Sequence, residues 1–99
     1  MIVVREVFSI DPDQMKRARE LMREYRAIAK KMNHPTPRTM TDLVAGHYTL
    51  VMETDFPDLA TFEKTLAAAF QSPEWQRFYP DFRKLLRPGG RREIYALLE

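Results

Sequence analysis

The chain contains no cysteine. That removes disulfides, thiolate nucleophiles and cysteine metal sites, and it fits a reducing, cytoplasmic compartment. Histidine is nearly as scarce, with two residues, His34 and His47. They do not fall at helical spacing and no His-x-Glu occurs, so no metal is expected. No Ser-His-Asp arrangement is supported by spacing. Glycine is limited to three residues, and the Gly89-Gly90 pair follows a helical pattern and reads as a turn, not a phosphate loop. No apolar run approaches the ~18 residues of a membrane span. Residues 1–6 acquire charge at Arg5 and Glu6 too early for a signal peptide. An excess of one charge is also missing. Sixteen basic against fourteen acidic side chains leave a net charge of +2, which argues against nucleic acid as a partner.

The 99 residues, 44% of them hydrophobic, are read as a single domain over residues 1–99. The stretch at residues 46–56 alternates as a strand does. Tyr48, Leu50 and Met52 share one face, and His47, Thr49, Val51 and Glu53 share the other. Neither face is uniformly polar, which predicts a central strand covered on both sides. Residues 2–10 show the same two-sided pattern. Asp11-Pro12-Asp13-Gln14 is a helix start, and Met15, Ala18, Met22, Tyr25, Ala29 and Met32 then mark the core stripe of a helix running to about Met32. Its other face is basic and reads as solvated, with a phosphate contact as the rival reading. Pro35 and Pro37 end it and make residues 38–42 an edge strand.

Leu43-Val44-Ala45-Gly46 is too apolar for a bare loop and is expected to be covered. A second helical region opens at Asp58 and restarts at Ser72-Pro73-Glu74, with a kink or break expected at Pro80. Pro88-Gly89-Gly90 reads as a stop before a last strand over residues 92–98. The order strand, helix, strand, strand, helix, strand defines an α+β, ferredoxin-like βαββαβ fold with a four-stranded antiparallel sheet. Two helices cover one face of such a sheet. The apolar residues on the other face then predict a homodimer, sheet against sheet, closing a barrel.

The opening Ile-Val-Val-Arg-Glu-Val-Phe-Ser-Ile-Asp-Pro, the Ser-Pro-Glu-Trp turn and the final Gly-Arg-Arg-Glu-Ile-Tyr resemble the dimeric α+β-barrel superfamily. Within it they resemble NIPSNAP-like and antibiotic-biosynthesis-monooxygenase-like small proteins. The resemblance covers nearly the whole chain and includes no catalytic signature. It implies a dimer with a cleft between sheet and helices, and it admits cofactor-independent monooxygenase chemistry. The haem-degrading branch is matched poorly: its asparagine, tryptophan and histidine would fall on Glu6, Ala69 and Tyr79.

Two residues are catalytic candidates. Glu6 lies in a mainly apolar strand face, where desolvation tunes a carboxylate toward a general base; the plainer reading is an ion pair with Arg38, Arg91 or Arg92. His47 at the start of the central strand could act as a base beside Tyr48, or be an ordinary strand-end histidine. Tyr48, Met52, Trp75 and Tyr79 are the candidate lining of a cleft for a small apolar or aromatic ligand. An aromatic stripe at helical spacing is more often core, and the methionines fit an ordinary core as well as a ligand lining. The alternative to ligand binding is a structural or protein-interaction homodimer without chemistry.

Overall fold

A computed structural model describes residues 1–98. The strands are β1 (Ile2–Ile10), β2 (Arg38–Thr41), β3 (Thr49–Phe56) and β4 (Leu86–Ala96), and the helices are α1 (Met15–Lys31), α2 (Leu59–Gln71) and α3 (Pro73–Arg83). The sheet order is β2-β3-β1-β4, antiparallel throughout. This is the ferredoxin-like α+β arrangement, with the first and third strands in the middle, as the alternation predicts.

Local chemistry sets each element. A single turn of 3-10 helix, Pro12–Gln14, precedes α1, and the Asp11 carboxylate accepts the Asp13 N–H at 3.1 Å. At the far end Asn33 adopts φ 57° and the His34 N–H donates to the Ala29 carbonyl at 2.8 Å. A left-handed residue satisfying a terminal carbonyl is how a helix is closed. Asp58 caps α2 by accepting the Thr61 N–H at 2.7 Å. Ser72 closes α2 by donating to the Ala69 carbonyl at 2.8 Å and opens α3 by accepting the Trp75 N–H at 3.1 Å. Helix α3 runs through Pro80 without a break. Pro80 forfeits one backbone donor, and the Lys84 N–H still reaches the Pro80 carbonyl at 3.3 Å.

The even-numbered residues of β1 face the helices. Phe8 and Ile10 pack with Leu21, Met22, Leu50 and Phe82 in the larger core cluster, and Val4 packs with Phe56 and Phe62 in a smaller one. The odd-numbered residues face away from all three helices. There Arg5 stands opposite Glu53 on one side and Glu93 on the other, and Arg38 reaches Glu53 at 2.6 Å while Arg91 reaches Glu93 at 2.6 Å. A ladder of alternating charge thus crosses all four strands. It is flanked by Val7 and Val51, which are only 6% and 9% exposed on this uncovered face.

Three expectations are corrected. Strand β3 begins at Thr49, not at residue 46: His47 and Tyr48 have φ 65° and 53°, a left-handed backbone that no strand accommodates. The turn they make is held by the Asp42 carboxylate, which accepts the Thr49 N–H at 2.9 Å. The apolar Leu43 and Val44, expected to be covered, are 99% and 96% exposed in the single chain. Pro88-Gly89-Gly90 does not stop the chain before a strand; it lies inside β4, where the register with β1 shifts between Val7 and Ser9. Gly89 takes φ 113°, and a Cβ on Gly90 would stand 3.1 Å from the Val7 carbonyl oxygen. Glycine is therefore needed at both positions, and the proline is tolerated because β4 is an edge strand.

Leu50 is 2% exposed at the centre of the larger cluster. Leu50→Ala is expected to cost ~2–5 kcal/mol, read as a lower urea midpoint with an unchanged slope.

Candidate functional site

The helices do not close fully on the sheet. Between them remains a cavity of about 240 Å³. Its floor is the helix-facing side of the sheet, with Val4, Glu6 and Phe8 from β1, Met52 and Thr54 from β3, and Arg92 from β4. Its roof comes from Met22, Tyr25 and Ile28 on α1, Phe62 and Leu66 on α2, and Trp75 and Tyr79 on α3. Large rings form much of the roof. Trp75 stacks on Tyr79 at 5.6 Å between ring centroids and meets Tyr25 edge-on at 5.7 Å.

Polar groups interrupt this apolar lining, among them Glu6, Arg92 and Tyr25. Arg92 stands opposite Glu6 in the β1–β4 register, and its Nε donates to the Glu6 carboxylate. The same guanidinium lies 5.3 Å from the centre of the Phe62 ring, a cation–π contact. Tyr25 is the third group. Burial, and then the nearby Glu6 charge, push its phenol above the usual tyrosine range, so at neutral pH it is a hydrogen-bond donor. Neither its hydroxyl nor the terminal nitrogens of Arg92 have a hydrogen-bond partner among the described residues. His34, from the turn after α1, also reaches the rim.

The candidates divide accordingly. Glu6, Met52, Trp75 and Tyr79 line the cavity. His47 and Tyr48 do not: they sit in the exposed turn before β3, where His47 and the Thr49 N–H help to hold the Asp42 carboxyl below its usual range, the Thr49 bond being the larger cause. Of the two histidines, it is His34 that adjoins the cavity. Tyr25 and Arg92 were legible only in part. Tyr25 belongs to the apolar stripe of α1, which gives no sign of a free hydroxyl. Arg92 would follow from Glu6 once the register across β1 and β4 is known. Among the described residues no three His, Asp or Glu side chains gather into a metal-binding group, and no helix is long and apolar enough to cross a membrane.

The geometry defines an α+β protein whose apolar cavity lies between an antiparallel sheet and its helices. No protein-family model matches the chain, and no curated protein matches it in sequence. Solved structures do match its fold. A NIPSNAP family protein from Agrobacterium tumefaciens superposes with a TM-score of 0.89 at 16% identity, over 99% of this chain and 93% of that one. An uncharacterised NIPSNAP domain protein from Burkholderia xenovorans gives 0.85 at 13% identity, over 99% and 95%. A candidate antibiotic biosynthesis monooxygenase from Deinococcus radiodurans gives 0.73 at 12%, over 100% and 94%. The chain therefore has the fold that its opening strand, Ser-Pro-Glu-Trp turn and closing strand suggest.

Ionisation of Tyr25 offers a check on this geometry. A phenol raised in the folded state leaves stability intact below about pH 10. That stability is lost as the pH climbs through the folded-state value, because the unfolded chain gives up its proton first. In a titration of tyrosinate absorbance, Tyr25→Phe is expected to remove a late-titrating component. Loss of an early component instead would contradict the burial of this ring.

Proposed function

We propose that the protein is a homodimeric α+β barrel that binds a small apolar or aromatic molecule in the cleft between sheet and helices. The cavity carries this reading. An apolar void of about 150 Å³ in another protein takes up benzene, so about 240 Å³ suits a body of roughly ten non-hydrogen atoms by the same proportion. A close-packed interior has no reason to keep such a space. Glu6 is the carboxylate that faces it, and it is the group to accept a proton from a bound substrate in cofactor-independent monooxygenase-type chemistry.

Dimerisation is supported by the uncovered sheet face. Its apolar members, among them Val3, Val7, Met40 and Val51, surround a charge ladder that is already internally paired. Paired charges are less costly to cover than isolated ones. A second copy, sheet to sheet, would bury both. The reading as an interaction homodimer without chemistry draws on the Glu6–Arg92 ion pair, which gives Glu6 a structural partner.

Two experiments test these parts separately. By calorimetry, 2-naphthylmethanol is expected to bind the native protein, and Ala69→Trp, which fills the cavity from α2, is expected to abolish the heat while leaving thermal unfolding cooperative. No binding by the native protein sinks the ligand reading and leaves the interaction module. Native mass spectrometry of protein taken directly from expressing cells should show a dimer. Tyr95→Asp, at an exposed position on the open face, should give a folded monomer; a dimer that survives it places the contact elsewhere.

A further inference from the structure

We infer that the ligand of this cavity is an amphipathic acid: an apolar body inside, with a carboxylate held at the cavity mouth by the free end of Arg92 and the hydroxyl of Tyr25. The inference rests on the proposed cleft-binding function and goes beyond it by fixing the head group. An arginine has five N–H donors in a planar fork. Glu6 takes the Nε donor, and the terminal nitrogens carry no hydrogen bond to any described residue. The Tyr25 hydroxyl is likewise without a protein partner. The Arg92 side chain is 43% exposed, so its terminal donors meet water in the free protein, and a carboxylate with two oxygens replaces that water with charge-assisted hydrogen bonds.

The position of Arg92 adds a second, independent observation. It belongs both to the apolar cavity and to a more open hollow beside the β4 bulge, lined by Arg87, Arg91 and the backbone of Pro88-Gly89-Gly90. Glu6, Phe8 and Leu86 are shared by the two spaces as well. The apolar space thus adjoins the Arg92 side chain, which it shares with the hollow beyond. Each of the three arginines has one acidic partner, Arg87 with Asp11 at 3.5 Å, Arg91 with Glu93 at 2.6 Å and Arg92 with Glu6, and of the three it is Arg92 that also lines the apolar cavity. Glu6 occupies only the Nε edge of the fork, so the terminal edge is left for a second acceptor. A neutral apolar molecule would use none of these donors and would leave them to compete for water at the edge of an apolar site.

The test compares two probes of one shape, 2-naphthoate and 2-naphthylmethanol, by calorimetry on the native protein. The acid is expected to bind about ten-fold tighter, the difference between a charge-assisted and a neutral hydrogen bond. Arg92→Gln should reduce the ratio of the two affinities to near equality, and Arg92→Lys should retain part of it. Cooperative thermal unfolding of both variants shows that they are folded. Equal binding of both probes to the native protein overturns the acid and leaves the cleft-binding function standing. A preference that survives Arg92→Gln overturns the assignment to Arg92. Silence from both probes removes the cleft-binding function, and this inference with it.

Discussion

The period of two along β1 decides which half of the sheet becomes core. Its even residues bring Val4, Phe8 and Ile10 under the helices, and the same parity brings Glu6 with them. A strand cannot send one residue of a set to the other face without losing its register. Glu6 therefore enters the apolar layer because its neighbours must. The molecule accommodates it by three means: Arg92 across the strand pair, a ring beneath that arginine, and a space where packed side chains would otherwise be. The ion pair and the cation–π contact beside the cavity thus follow from one charged residue in an apolar series.

The odd face obeys the same parity with the opposite result. Arg5 lands between Glu53 and Glu93 on its two neighbours, so the charges of the open face meet in rows. Each pair is half exposed and contributes little to the stability of a single chain. Their value lies in specificity. A row of alternating signs admits a second sheet in few alignments, whereas valines alone would admit many.

Much of this was legible in the residues. Alternation in residues 2–10 and 46–56 pointed to two central strands, proline to the edge, and the caps at Asp58 and Ser72 to the helix starts. What escaped was local backbone chemistry that alternation hides. Residues 46–48 continue the period of Leu50 and Met52, yet His47 and Tyr48 lie in left-handed conformations that no periodicity reports. That moved two candidate residues out of the site. Pro80 reads as a kink or a break, and the break is absent because a helix anchored at both ends by packing can lose one hydrogen bond and continue. Of the site itself, Glu6, Met52, Trp75 and Tyr79 could be proposed from face and spacing. Tyr25 and Arg92 required the third dimension, since their place in the cavity depends on the helix packing and on the strand register.

The bulge in β4 has a consequence for inheritance of the site. Between the pair Ser9–Arg87 and the pair Val7–Arg91, β1 advances by two residues and β4 by four. The surplus is even, so inside remains inside on both sides of it, and the guanidinium of Arg92 arrives opposite Glu6. Loss or gain of a single residue here would invert everything downstream: Arg92 would turn outward and Arg91 or Glu93 would take its place. Changes in length at this point should therefore come in twos, and the count of residues across the bulge, more than their identity, is what keeps the site's cation in the cleft.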